Sequence, residues 1–330
     1  MSTSRAIALA IMIAAAAVGL SVTRATADPL FGYQVETDVV FAQGKVTSGG
    51  VEIERNLMLD VYTPADPKAD AARPAVILVH GGAYHRGGRR QPPYREDGAV
   101  HSRMEDYARL LAPLGYVCFV IEYRLAPELP RPVLKPGSGN LLPLDEVVTP
   151  AGLARTNFAR RAMRLPELSH DERIVIWNAA MAGAEDTAKA VEFVRANAAR
   201  FGVDSNKIAI GGHSAGGGNV LNAAFGLKAP VAAVFPLSAP APIFDSAKIM
   251  ARDDLPPTLL VISQYDLEVV LESAPKTIAQ LRAGGSDAQL VWVPGFPHFY
   301  PTGAVTLGDD GTRMSVGERV LQFLNTHLQK

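Results

Sequence analysis

The chain has 330 residues and nearly balanced charge, with 32 Lys and Arg against 33 Asp and Glu for a net charge of −1. So neutral a chain lacks the basic footprint needed to bind nucleic acid or an anionic membrane. Its 48% hydrophobic and 20% charged residues describe an ordinary globular protein with a large core. The single cysteine, Cys118, excludes an internal disulfide, and its apolar surroundings predict burial. None of the seven histidines has metal-ligand spacing, so no metal site is expected.

Reading from the start, Met1 to Arg5 is short and basic, Ala6 to Leu20 is apolar, and Ala25-Thr26-Ala27 offers a small-x-small cleavage site. This three-part layout predicts a secretory signal peptide over residues 1–27, cleaved after Ala27. The apolar run is shorter than the roughly 20 residues that span a bilayer. The expectation is therefore export, periplasmic or extracellular, with no stable membrane anchor. Residues 28–330 then read as one domain.

Within that domain, strand-like and helix-like runs alternate. Thr37 to Ala42 and Val51 to Tyr62 read as an opening antiparallel pair. Ala75 to His80, Tyr116 to Tyr123, Lys207 to Gly211, Val231 to Leu237, Thr258 to Ser263 and Gln289 to Val293 are continuous apolar runs. Continuous apolarity marks strands covered on both faces. Helical stretches lie between them at Met104 to Ala112, Glu185 to Arg200, Gly217 to Leu227, Leu267 to Ala283 and Val316 to Leu328. The pattern predicts an α/β chain with a mostly parallel, doubly wound, eight-stranded sheet and helices on both faces. Pro127 to Asn178 breaks the alternation and is longer than a connection needs. It reads as an inserted, cap-like segment at about 128–182.

The chemistry gathers at strand ends. Gly212-His213-Ser214-Ala215-Gly216 sits between a strand and a helix, where small residues let the chain turn sharply and expose the Ser214 hydroxyl. A serine needs a base, and His298 follows the last strand through Pro294-Gly295-Phe296-Pro297. Asp266, past the strand ending at Ser263, is the expected acid, with Glu268 in reserve. The backbone amides of Gly81, Gly82 and Ala215 are the expected oxyanion donors, since glycines let N–H groups approach a substrate unobstructed. Tyr84, His213 and Phe299 adjoin these groups and are the expected substrate-binding side chains. Such a set performs two-step acyl transfer and requires no cofactor.

Four motifs carry a family resemblance: His80-Gly81-Gly82, Glu122-Tyr123-Arg124-Leu125-Ala126-Pro127-Glu128, Gly212 to Gly217, and Asp266 with His298. From about Val51 to Leu328, the insertion aside, the chain resembles the α/β-hydrolase superfamily. Within it, the similarity is to the esterase/lipase branch that includes hormone-sensitive-lipase-like and carboxylesterase-like enzymes. The resemblance implies an α/β-hydrolase fold and a serine esterase acting on small-molecule esters of short to medium acyl chain. A serine peptidase on the same fold, or a non-catalytic binding module on a hydrolase scaffold, is the alternative. Three departures from the family stand out. Ala83 replaces the third glycine that the oxyanion loop often carries. About fifty residues are inserted after the Glu122 to Glu128 motif. The segment before Thr37 is too short for a helical lid, which leaves residues 129–181 as the place for one. Acyl and alcohol specificity and oligomeric state have no signature in the sequence.

Overall fold

Strands covered on both faces should send alternate residues into two separate cores. The computed structural model describes residues 32–65, 72–96, 98–135 and 138–329, so the expected leader 1–27 lies outside the described residues. The strands are β1 (Tyr33–Ser48), β2 (Val51–Pro64), β3 (Arg73–Val79), β4 (Val117–Ile121), β5 (Val203–His213), β6 (Ala233–Leu237), β7 (Thr258–Tyr265), β8 (Ala288–Pro297), β9 (Val305–Gly308) and β10 (Arg313–Ser315). They form one sheet in the order β1-β2-β4-β3-β5-β6-β7-β8-β9-β10. From β4 to β8 neighbouring strands are parallel, while β1, β2, β9 and β10 pair antiparallel at the two sides. All eight expected strands are present. Two further strands of this sheet form a short hairpin after His298, too brief to show in the hydrophobic pattern, and Arg95–Glu96 pairs antiparallel with Ala99–Val100 in a separate two-stranded sheet.

In β3, Ala75, Ile77 and Val79 enter one core, and Val76 and Leu78 enter the other. The helices α1 (Met104–Leu111) and α6 (Val316–Leu328) cover the second core. The first is covered by α3 (Ile174–Ala196), α4 (Ala215–Leu221) and α5 (Glu268–Ala283), with α2 (Pro150–Ala162) in the inserted segment. Cys118 is buried in the second core as a free thiol, and burial pushes its pKa up. No helix among the described residues is long and apolar enough to cross a membrane.

Helix α3 starts at Ile174, well before the Glu185 expected from the sequence. Its first half buries Ala179, Ala180, Met181, Ala182, Gly183 and Ala184 in succession. A helix covered on nearly every side has no amphipathic period to betray it. The insertion therefore contributes two kinds of structure. Residues 174–182 are the start of this core helix, and α2 with the short helix Leu144–Val147 lies ahead of it.

The Glu122 to Glu128 motif is a buried clamp between the sheet and α3. Arg124 is 1% exposed. It donates to Asp186 at 2.8 and 2.9 Å, to Glu185 at 2.8 Å and to the Arg131 carbonyl at 3.1 Å. Gly44 clears the space for it, since a Cβ there would lie 2.6 Å from Arg124 Cδ. Removing one partner of a buried ion pair strands the other charge. Arg124→Met is therefore expected to cost about 3–5 kcal/mol, read as a lower urea midpoint. An unchanged midpoint would show that Asp186 finds another cation or takes up a proton.

Candidate active site

Strand order reverses direction around β3, because β4 lies on one side of it and β5 on the other. The crevice beyond the carboxyl ends of β3 and β5 is where open α/β sheets bind ligands. Both glycine-containing motifs emerge there. After β5, Ser214 takes φ 55° and ψ −122°, and α4 begins at the next residue. Positive φ in a non-glycine residue is strained and persists only where surrounding structure imposes it. The imposing contacts are tight: a Cβ on Gly216 would lie 2.1 Å from the Val79 carbonyl oxygen, and one on Gly212 would lie 2.7 Å from it.

Three expected residues meet at this turn. His298 Nε2 lies 2.8 Å from Ser214 Oγ, and His298 Nδ1 lies 2.6 Å from Asp266 Oδ1. His298 comes from the loop after β8, and Asp266 from the turn between β7 and α5. With the carboxylate accepting at Nδ1, the proton sits there and Nε2 is the free base facing the serine. Burial would raise the Asp266 carboxyl. Hydrogen bonds from His298, Ser238 and the Ser263 amide outweigh it and hold the group below the usual carboxylate value. The reserve acid, Glu268, is exposed at the first position of α5 and takes no part.

Ser238 is a functional neighbour that the sequence reading missed. It sits fully buried just past β6 and donates to Asp266 Oδ2. The Ser263 and Leu267 amides also donate to Asp266, at 3.1 and 2.8 Å. Tyr300 Oη lies 3.2 Å from Ser238 Oγ and is placed to donate to it, since the serine proton is committed to the carboxylate. The position of Ser238 after an apolar strand, at the same sheet edge as Ser214, was its only signal.

The loop after β3 is held open by unusual backbone. Gly82, Ala83 and Tyr84 have φ of 131°, 54° and 60°. The His80 ring stacks on Tyr123 at 4.4 Å, the Tyr123 hydroxyl donates to the His80 carbonyl at 3.1 Å, and the Ala126 amide donates to the Tyr84 carbonyl at 2.8 Å. The Glu122 to Glu128 motif thus braces the loop as well as α3. Gly82, Ala83 and Ala215 line the cavity in front of Ser214. Gly81 sits closer to the turn, where a Cβ would come 3.1 Å from Ser214 Cβ. Its carbonyl accepts from His80 Nδ1 at 2.8 Å.

That cavity holds about 210 Å³ and is walled mainly by apolar groups. Val147, Val148, Gly152, Thr156 and Ala159 come from the inserted segment, which therefore forms one wall of the site. Tyr84 and Phe299 line the cavity. His213 does not, and its expected substrate-binding role is corrected. It is fully buried behind the turn, packs on His101 with ring centroids 3.8 Å apart, and donates from Nε2 to the His298 carbonyl at 3.0 Å. His213 is held in the interior, away from the crevice, by this packing and by the hydrogen bond to the His298 carbonyl.

Burial lowers the pKa of His80 and His85 to about 4 and of His101 to about 3, and drives that of His213 well below its ordinary 6.5. Each folded-state value is depressed, so the unfolded chain binds protons that the folded one refuses. Stability should therefore fall as pH drops from about 6.5 toward 4. Thermal unfolding followed from pH 7 to pH 5 is expected to show a steadily falling Tm. A flat profile over that range would contradict the buried, neutral state of these rings.

The BD-FAE family model matches residues 168–230, the stretch that carries α3, β5 and the turn at Ser214. Comparison with curated proteins finds no match. Among solved structures, the butyrate-bound esterase Est2 of the planctomycete Thermogutta terrifontis is similar at a TM-score of 0.53 and 17% identity, over 90% of this chain and 94% of that one. Its propionate-bound form is similar at 0.53 and 18%, with the same coverage. The form phosphorylated by paraoxon is similar at 0.51 and 18%, over 90% and 92% of the two chains. Strand order, the turn at Ser214 and this similarity over nine-tenths of the chain agree that the chain has the α/β-hydrolase fold.

Proposed function

We propose that this protein is a serine esterase that cleaves carboxylic esters of short to medium acyl chain through an acyl-enzyme. The observation that carries the reading is the unbroken line Ser214 Oγ, His298 and Asp266, at 2.8 and 2.6 Å, opening onto a small apolar cavity. His298 Nε2 takes the Ser214 proton as Oγ attacks the ester carbonyl, while Asp266 holds the imidazole in the required tautomer and stabilises its charged form. The amides of Gly81, Gly82 and Ala215 receive the developing oxyanion, Gly82 and Ala215 from the cavity wall itself. The C–O bond breaks as His298 returns the proton to the leaving alcohol. Water, deprotonated by the same imidazole, then attacks the acyl-enzyme; the acyl–Oγ bond breaks, the acid leaves, and His298 returns the proton to Ser214 Oγ. Triad, ester and water supply every proton and electron pair in this scheme.

The similarity to structures described as an esterase, holding butyrate or propionate in two cases, supports both the reaction class and a short acyl group. A cavity of about 210 Å³ agrees with it. Residues 1–27 carry the further proposal of export, which N-terminal sequencing of the secreted protein would check by a start at Asp28. The decisive test is labelling with a fluorophosphonate, followed by a series of p-nitrophenyl esters from acetate to laurate. Labelling at Ser214 and activity that peaks at butyrate or hexanoate are expected. The absence both of labelling and of turnover of every member would overturn the reading.

A further inference from the structure

Ser214, Asp266 and His298 follow three different strands, and the end of a fourth holds two of them in register. That fourth is β6, which lies between β5 and β7 in the sheet. The Ser214 amide donates to the Leu237 carbonyl at 2.8 Å. One residue on, Ser238 Oγ donates to Asp266 Oδ2 at 2.5 Å. The Ser238 amide donates to the Val261 carbonyl of β7 at 2.7 Å. The turns that carry nucleophile and acid are thus tied to adjacent residues of one strand, and His298 bridges the gap which that strand sets.

The donors around Asp266 differ in what they fix. The Ser263 and Leu267 amides belong to the turn that carries Asp266, so they move with it. His298 is the group to be positioned. Ser238 is the donor that comes from another strand. It engages Oδ2, which leaves Oδ1 to face His298 Nδ1 at 2.6 Å. Its own hydroxyl is oriented by Tyr300 Oη, 3.2 Å away. A continuous line of hydrogen bonds therefore runs from Tyr300 through Ser238, Asp266 and His298 to Ser214.

The backbone agrees with this role. Ser238 takes φ 47°, in the left-handed region that favours glycine. Glycine would meet the backbone need without strain, whereas serine adds the donor. The turn has no slack, since a Cβ on Gly217 of α4 would lie 2.7 Å from Ala239 Cβ. Ser238 borders the cavity yet is fully buried, so its hydroxyl serves the carboxylate rather than the substrate.

We infer that Ser238 is a positioning residue for acyl transfer: from β6 it fixes the Asp266 carboxylate relative to Ser214, and it acts on the reaction through Asp266. Tyr300 in turn orients Ser238. This rests on the ester-hydrolase reading above.

The test measures kcat and KM on p-nitrophenyl butyrate with the full protein, per site titrated to completion with a fluorophosphonate. Ser238→Ala and Ser238→Gly are each expected to lower kcat by about tenfold, the effect of one hydrogen bond to a charged group. KM should stay within about twofold of wild type. Ser238→Gly should also keep a Tm close to wild type, because glycine accepts the positive φ. It therefore carries the test if the alanine variant folds poorly. Tyr300→Phe should lower kcat by about threefold in the wild type and by nothing further in Ser238→Ala. In Asp266→Asn, Ser238→Ala should bring no further loss, because the group it acts through is already changed. Wild-type kcat in both Ser238 variants would overturn the inference, as would a loss of about tenfold that persists in the Asp266→Asn background. A raised KM at unchanged kcat would overturn it too, by making Ser238 a substrate contact. In each of these cases the wild type still turns over the ester and the esterase reading stands; a wild type that turns over no ester would remove that reading itself.

Discussion

Replacing Ser214 by alanine is expected to lower kcat on p-nitrophenyl butyrate by about a millionfold, to the level left by binding and oxyanion contacts alone. The reason is specific to Oγ. The Ser214 hydroxyl is the group that His298 Nε2 faces at 2.8 Å, and alanine offers no atom for an acyl-enzyme. The backbone should hold, because the positive φ of residue 214 is imposed by glycine contacts on β3 rather than by the hydroxyl. Alanine also suffers the same Cβ strain as serine there. A Tm close to wild type, measured beside the kinetics, separates loss of chemistry from loss of fold. Retention of more than about a thousandth of the activity would mean that Ser214 is not the nucleophile.

Asp266→Asn should cost about ten-thousandfold in kcat, the effect of presenting the base in the wrong tautomer. The carboxylate accepts four hydrogen bonds, from His298, Ser238, and the Ser263 and Leu267 amides. An amide cannot accept all four, because its NH₂ must point either at the imidazole or at the Ser238 and Ser263 donors. Glu268→Gln, at the exposed start of α5, should keep most of the activity. Reversed effects of the two substitutions would move the acid from Asp266 to Glu268. Asp266→Asn should also lose the acid-side behaviour of a depressed carboxylate. In the wild type that group contributes stability above its unfolded pKa, and the contribution is lost as pH falls through its folded value.

Much of this site was legible because its pieces lie at the ends of strands, and strands of this sheet announce themselves as continuous apolar runs. Val76 to Val79 points to Gly81 and Gly82, Ile208 to Ile210 to Ser214, Leu259 to Ile262 to Asp266, and Leu290 to Val293 to His298. Ser238 follows an equally plain strand. A lone serine past an apolar run carries no motif, so only its hydrogen bond to Asp266 reveals it. His213 was read as facing substrate because it adjoins the nucleophile, yet position along the chain does not set the side on which a side chain leaves a turn. The start of α3 was hidden for another reason, since a helix buried among others has no polar face to mark its period.

What the sequence by itself determined is therefore the order of strands and helices and the residues at their ends. Those follow from local hydrophobicity and from backbone needs that only glycine and other small residues meet. The tertiary structure alone decided which of those ends meet: that Asp266 rather than Glu268 faces His298, that His213 turns inward, and that Arg155 rather than Arg160, Arg161 or Arg164 borders the cavity. Hydrogen bonds of 2.6 to 2.8 Å between residues more than thirty positions apart depend on how the sheet brings the ends of β5, β7 and β8 together. Packing sets those distances, and no local pattern in the chain encodes them.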